Sequence, residues 1–170
     1  MNQKRAQIEL KELFSEKFGR TNVKTEWRSN AGAEDWLRFG DIYAPRPDIA
    51  IGPFNIEEGT NISQINNVFN QQMIFFNQLG ISNFSFSINP RCLIAIEIEN
   101  SNKGKYMLGN IINASLLGKI GIILTLREEF YNVAKSICNY LNGAFERKKI
   151  GCNPSNIAIM RYEELRRFLL

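Results

Sequence analysis

Apolar residues recur along the chain at helical spacing in several stretches. A first stripe predicts a helix over residues 3–18, which Gly19 ends. A second predicts a helix over residues 61–79, and the clearest amphipathic pattern predicts a helix over residues 128–146. The first stripe consists of Ala6, Leu10, Leu13, Phe14 and Phe18. Weaker patterns predict a helix over residues 103–117 and a terminal helical turn or two over 162–170.

Between these helices lie short apolar runs that predict strands. The continuous apolar run at residues 120–126 is typical of a strand covered on both faces, and residues 91–99 and 157–160 also predict strands. Residues 82–88 alternate between polar and apolar and predict a short strand, and residues 21–44 look like strands and turns.

This order of elements predicts an α/β fold with a central mixed β-sheet flanked by helices. Strands and helices alternate in the C-terminal half, and right-handed crossovers make that part of the sheet parallel or mixed. A length of 170 residues suits one domain, 1–170, in which the helix at about 61–79 is an insertion.

Composition narrows the possible chemistry. The chain has no histidine, and its three cysteines are widely spaced, which argues against a Cys/His zinc site and against Ser-His-Asp or Cys-His catalysis. The net charge of +4 is compatible with a polyanionic partner without requiring one. Because the sequence shows no apolar signal region and no run as long as a membrane span, we expect a cytoplasmic protein without a membrane partner.

Three carboxylates on apolar strands are the most informative chemical feature. Glu97 and Glu99 end the strand at residues 91–99, and side chains two apart share one face of a strand. Asp48 lies after Pro47 at the start of another short apolar run. Burying unpaired like charges is costly, so this set predicts a divalent-cation site, and Mg²⁺ prefers such oxygen ligands.

Phosphodiester hydrolysis uses this kind of site. A metal ion screens the phosphate and lowers the pKa of its bound water, and a nearby lysine can stabilise the developing charge. Lys103 and Lys105 follow the acidic strand, and Lys105 is the candidate electrostatic helper.

At these residues the chain resembles the PD-(D/E)xK nuclease superfamily, which has the restriction-endonuclease-like fold. The resemblance covers roughly residues 1–130 and rests on Pro47-Asp48 and Glu97-Ile98-Glu99. It implies a nuclease that cleaves DNA, with Mg²⁺ or Mn²⁺ on Asp48 and Glu97 and with Glu99 as a second ligand or water-positioning group. It also implies a further acid from the opening helix, Glu9 or Glu12.

The chain departs from the family at Glu99, which replaces the usual lysine. A BamHI-like variant of the motif also has glutamate there, and in other members the lysine lies on the following helix, which implies that role for Lys105. Alternatively, the protein is a catalytically inactive member of the fold that serves as a nucleic-acid-binding or regulatory subunit.

A purely structural role for the acids is an alternative to the metal site. Glu97 and Glu99 could form ion pairs at a strand end in an unrelated α/β protein. The candidate partners of those ion pairs are Arg91, Lys119 and Arg127.

Partner surfaces are less specific. Basic residues near the C-terminus contact phosphate if they share the face of the acids, and are otherwise solvated. These are residues 147–149, Arg161, Arg166 and Arg167. A homodimer is possible, since enzymes that cut both strands are commonly two-fold dimers. Phe69, Phe75 and Phe76 could supply either its interface or core.

Overall fold

The structure is a computed structural model, in which the described residues form one five-stranded sheet with helices on both faces. The described residues are 1–28, 45–54, 58–81, 85–88, 90–151 and 154–170. The strands are β1 (Val23–Thr25), β2 (Ile49–Phe54), β3 (Cys92–Glu99), β4 (Gly118–Thr125) and β5 (Ile157–Arg161). The α-helices are α1 (Gln3–Phe18), α2 (Glu58–Gln71), α3 (Met73–Gln78), α4 (Gly104–Leu117), α5 (Glu128–Glu146) and α6 (Tyr162–Leu169).

The sheet is mixed, as the alternation of elements predicted. Its strands lie in the order β1-β2-β3-β4-β5. β2 is antiparallel to both β1 and β3, whereas β3, β4 and β5 are parallel to one another. α4 connects β3 to β4, and α5 connects β4 to β5, so each parallel step is made through a helix.

Two apolar layers enclose the sheet. On one face α1, α2, α3 and α6 pack against isoleucines of β2 and β3, including Ile49, Ile94 and Ile96. On the other face α4 and α5 pack against the small residues Ala50 and Ala95. The three central strands are therefore covered on both sides, which explains their continuous apolar runs. No helix among the described residues is long and apolar enough to cross a membrane.

The prediction of one continuous helix over residues 61–79 was wrong. The chain forms two helices there, α2 and α3, which meet at Gln72. On a straight helix, residues seven apart are about 10 Å apart along the axis. The break lets Phe69 stack on Phe76 with ring centroids 4.9 Å apart. Both rings and Phe75 are buried, so these phenylalanines are core and a homodimer would need another surface.

Predictions for the strands had a mixed outcome. Residues 85–88 do not form the expected short strand, and the rest of 82–88 lies outside the described residues. Of the segment 21–44, a strand forms at Val23–Thr25, and residues 29–44 lie outside the described part of the chain.

Candidate functional site

The strand pairing brings Asp48 and Glu97 to the same end of the sheet. β2 runs antiparallel to β3, and Ile49 pairs with Ile96. Asp48 precedes Ile49 and Glu97 follows Ile96, so the two acids occupy neighbouring positions one step beyond this pair. Glu99 lies two residues further along β3, opposite Thr125 of β4. The structure therefore gathers the three predicted acids at one edge of the fold.

Asp48 is held in place by hydrogen bonds to its carboxylate. The backbone N–H of Ile98 donates to Oδ2 at 2.7 Å, which extends the contact between β2 and β3 beyond the last paired residues. Nε2 of Gln3 lies 3.2 Å from Oδ1 and 3.1 Å from Oδ2. Burial raises the pKa of Asp48 most strongly, while the bonds from Ile98 and Gln3 act to lower it.

Glu97 is the most unusual of the three. Its side chain is 5% exposed, and its Oε1 has no hydrogen-bond partner among the described residues. Burial, followed by the negative charges of Asp48 and Glu99, raises the pKa of Glu97 to about 9, although a backbone hydrogen bond from Asp48 lowers it. A buried carboxyl oxygen without a partner is costly unless a proton or a cation compensates it.

Glu99 has a partner on the following helix. Nδ2 of Asn110 in α4 donates a short hydrogen bond to Oε1 of Glu99. Burial raises the pKa of Glu99, the bond from Asn110 lowers it, and the charge of Asp48 raises it further. Glu99 is thus oriented by a neutral amide.

Lys105 lies in the first turn of α4 and is exposed. Asn110 lies five positions further along the helix, which places the two about 140° apart around its axis. The ion pairs of the described residues include none between Lys105 and the three acids. The structure therefore does not bring Lys105 into contact with the carboxylates.

The proposed ion-pair partners of Glu97 and Glu99 do not fill that role in the described contacts. Cys92 pairs with Gly118, so Arg91 and Lys119 lie where β3 and β4 begin, about 20 Å from the acidic end. Nζ of Lys119 bonds to Asn66 instead. Arg127 pairs with Glu129.

Other basic residues bond to acids outside the set of Asp48, Glu97 and Glu99. Arg161 bonds to Glu128 and Glu164, and Arg166 bonds to Glu9. Residues 147–149 follow the far end of α5, about 28 Å from the helix start next to β4. This basic cluster therefore does not share the acidic end of the sheet.

The opening helix contributes amides to the site where an acid was expected. Glu9 points to α6, where it accepts a hydrogen bond of 2.6 Å from the Tyr162 hydroxyl, so its assignment to the site is wrong. Glu12 is exposed and lines an open surface cavity beside Lys11. The residues of α1 that reach Asp48 are Gln3 and Gln7.

Sequence reasoning missed four residues around the acids. These are Gln3, Gln7, Glu26 and Asn110. Nε2 of Gln7 donates both to the Asp48 carbonyl at 2.7 Å and to Oε1 of Glu26 at 3.1 Å. The spacing of Gln3 and Gln7, four apart on one helix face, was an available signal.

The described residues supply some, but not all, of the ligands that a magnesium ion needs. In the described part of the chain, no group of three or more Cys, Asp or Glu side chains is arranged to hold a metal ion. Asp48 and Glu97 supply two carboxylates, which is the number that Mg²⁺ commonly takes from a protein, with water and phosphate as its other ligands. Oε1 of Glu97, which has no partner among the described residues, is suited to bind such a cation.

Comparisons with protein-family models, curated proteins and solved structures found no match to this chain.

Proposed function

We propose that this protein is a Mg²⁺- or Mn²⁺-dependent phosphodiesterase of the PD-(D/E)xK type, an endonuclease-like hydrolase that acts on DNA. The observation that carries the proposal is the buried, unpartnered Oε1 of Glu97 beside Asp48. A divalent cation would supply the missing partner and offset the repulsion between these acids.

The architecture supports the same proposal. Antiparallel strands β1 to β3 are followed by α4 and the parallel strand β4, and the acids lie at the end of the central strand β3. This matches the order of elements that the resemblance implied. A restriction-endonuclease-like fold is therefore part of the proposal, as are a cytoplasmic location and a possible homodimer.

Each acid has a role in this proposal. Asp48 and Glu97 would hold the cation, with Asp48 kept in place by the Ile98 N–H. Glu99, oriented by Asn110, would act as a further ligand or position the attacking water. A bound Mg²⁺ supplies an activated water and stabilises the departing oxygen. Lys105 is proposed as an electrostatic helper that meets the phosphate from solvent.

Cleavage of plasmid DNA tests this function. We expect wild-type protein to nick or linearise plasmid with Mg²⁺ or Mn²⁺ and to be inactive in EDTA. Asp48→Asn, which keeps an oxygen for the Ile98 N–H, should lose cleavage by roughly a thousandfold, since it removes a metal ligand. Glu16→Gln, an exposed change on α1, is the matched control and should cleave normally. Equal cleavage by wild type and Asp48→Asn would falsify the assignment.

One observation favours the catalytically inactive alternative. Glu99 replaces the family's lysine, and the charged groups that act on Glu97 within the described residues are all acids: Asp48, Glu99 and Glu26. A site without a positive group is less suited to stabilise a phosphoryl transition state. Calorimetry with Mn²⁺ separates the two functions. Absence of binding at millimolar Mn²⁺, together with retained DNA binding in a gel-shift assay, would favour a nucleic-acid-binding or regulatory subunit.

A further inference from the structure

Glu26 lies next to Asp48 on the row of the sheet that also contains Glu97. β1 pairs Thr25 with Ile49, so Glu26 is the next residue beyond that pair, as Asp48 is on β2. The Glu26 N–H donates to the Asp48 carbonyl at 3.3 Å, which continues the pairing by one step. Positions opposite one another on antiparallel strands have Cβ atoms about 5 Å apart. Three acids therefore occupy adjacent positions at the matching ends of three neighbouring strands.

Glu26 departs from the extended backbone of a strand, and its side chain is hydrogen-bonded by Gln7. Its φ of 48° is in the left-handed region, which is unfavourable for a residue other than glycine. Nε2 of Gln7 bridges the Glu26 carboxylate and the Asp48 carbonyl, at 3.1 and 2.7 Å. Glu26 itself is exposed, so core packing does not account for this arrangement.

A second observation at the same place indicates a ligand. Glu97 is 5% exposed and its Oε1 has no partner among the described residues. The negative charge of Glu26 raises the pKa of both Asp48 and Glu97, so it is close enough to act on both. Bringing a third acid to this pair is unfavourable in the absence of a cation.

We propose that Glu26 is a further carboxylate of the site, which binds the divalent cation on Asp48 and Glu97 through the cation's water, with Gln7 as its positioning residue. The inference rests on the proposed metal site. Contact through water follows from the exposure of Glu26 and from the tendency of Mg²⁺ to keep several of its waters. The row of acids then runs from solvent at Glu26 to the interior at Glu97.

Metal affinity and metal-free stability together test this role. Mn²⁺ affinity is measured by calorimetry, and thermal unfolding is followed in EDTA and in Mn²⁺, for wild type, Glu26→Gln and the control Glu16→Gln. Glu26→Gln should bind Mn²⁺ roughly tenfold or more weakly, as is usual for loss of an outer-shell partner. In EDTA it should unfold at the same or a higher temperature, because a like charge next to Asp48 is removed.

The outcomes distinguish this inference from the proposed function. If Glu26→Gln unfolds earlier in EDTA and binds Mn²⁺ as tightly as wild type, Glu26 is structural and the inference is overturned. If wild type itself binds no Mn²⁺, both proposals fail together. Gln7→Ala, which removes the bridge without changing the charge, should also weaken Mn²⁺ binding, by about threefold or more. Unchanged affinity in that variant would remove Gln7 from the proposal.

Discussion

The two ends of the sheet differ in how fully their buried polar side chains are hydrogen-bonded. Where β4 begins, Asn156 is 1% exposed and its amide is fully engaged. Its Oδ1 accepts from the Ser115 hydroxyl at 2.6 Å, and its Nδ2 donates to the carbonyls of Ser115 and Gly118 at 2.9 and 3.0 Å. Where β3 ends, Glu97 is nearly as buried, yet its Oε1 has no partner among the described residues. The first arrangement stabilises the fold, whereas the second leaves a buried oxygen atom for the proposed cation.

The largest expected loss of stability follows from a substitution of Asn156, at the fully hydrogen-bonded end of the sheet. Asn156→Ala removes the four hydrogen bonds of this buried amide, so it should lower the free energy of unfolding by about 3 kcal/mol. Urea denaturation followed by circular dichroism measures this change. Asn139→Ala, at an exposed position of α5, is the control and should change stability by less than about 0.5 kcal/mol. A similar small effect for Asn156→Ala would contradict the comparison.

At the acidic end we expect stability to depend on pH. The native pKa of Glu97 is raised to about 9, and those of Asp48 and Glu99 are also raised. Between the unfolded and folded pKa values the native state holds more protons, so stability falls as pH rises. Metal-free protein should therefore lose stability steadily as pH rises from about 5 to about 9. Urea titrations in EDTA at several pH values measure this loss.

The Glu97→Gln variant tests whether Glu97 causes this pH dependence. The neutral amide removes the ionisable group and keeps an oxygen for the Asp48 backbone. At pH 8 in EDTA it should be more stable than wild type by about 1 kcal/mol, with a flatter pH profile. Glu146→Gln, at the exposed end of α5, should leave the profile unchanged. A wild-type pH profile retained in Glu97→Gln would mean that other groups cause the dependence.

The smallest effect concerns Glu99, which is buried but has a partner. Asn110→Ala removes the amide that bonds its carboxylate and should destabilise the metal-free protein by about 1 kcal/mol at pH 7. Thermal unfolding in EDTA detects the change. Asn102→Ala, at an exposed position before α4, serves as the control. No difference between these two variants would show that the bond to Glu99 adds nothing to stability.

The helices that could be predicted from local patterns have the expected bounds. α1 and α5 begin and end where their apolar stripes do, at Gln3–Phe18 and Glu128–Glu146. The break at Gln72 could not be predicted, because the contact that accompanies it, the stacking of Phe69 on Phe76, forms only in the folded core. Helical spacing continues across the break, so the sequence pattern contains no sign of it.

The candidate site was predicted in part. Asp48, Glu97 and Glu99 were recognisable because acids at the ends of apolar strands are uncommon and costly. Glu26 carried no such signal, since β1 has three residues and no periodic pattern. The expectation for Glu9 failed because helical position alone does not say which neighbour a side chain meets, and Tyr162 comes from the other end of the chain.

The sequence by itself determined which residues form the central strands and which of them are acidic, because apolar periodicity and the cost of buried charge are local properties. The tertiary structure decided what surrounds those acids. The register of β1, β2 and β3 aligned Glu26, Asp48 and Glu97, and the packing of α1 brought Gln7 to them. These contacts join residues far apart in the chain, so they depend on strand pairing and helix packing and not on any local pattern.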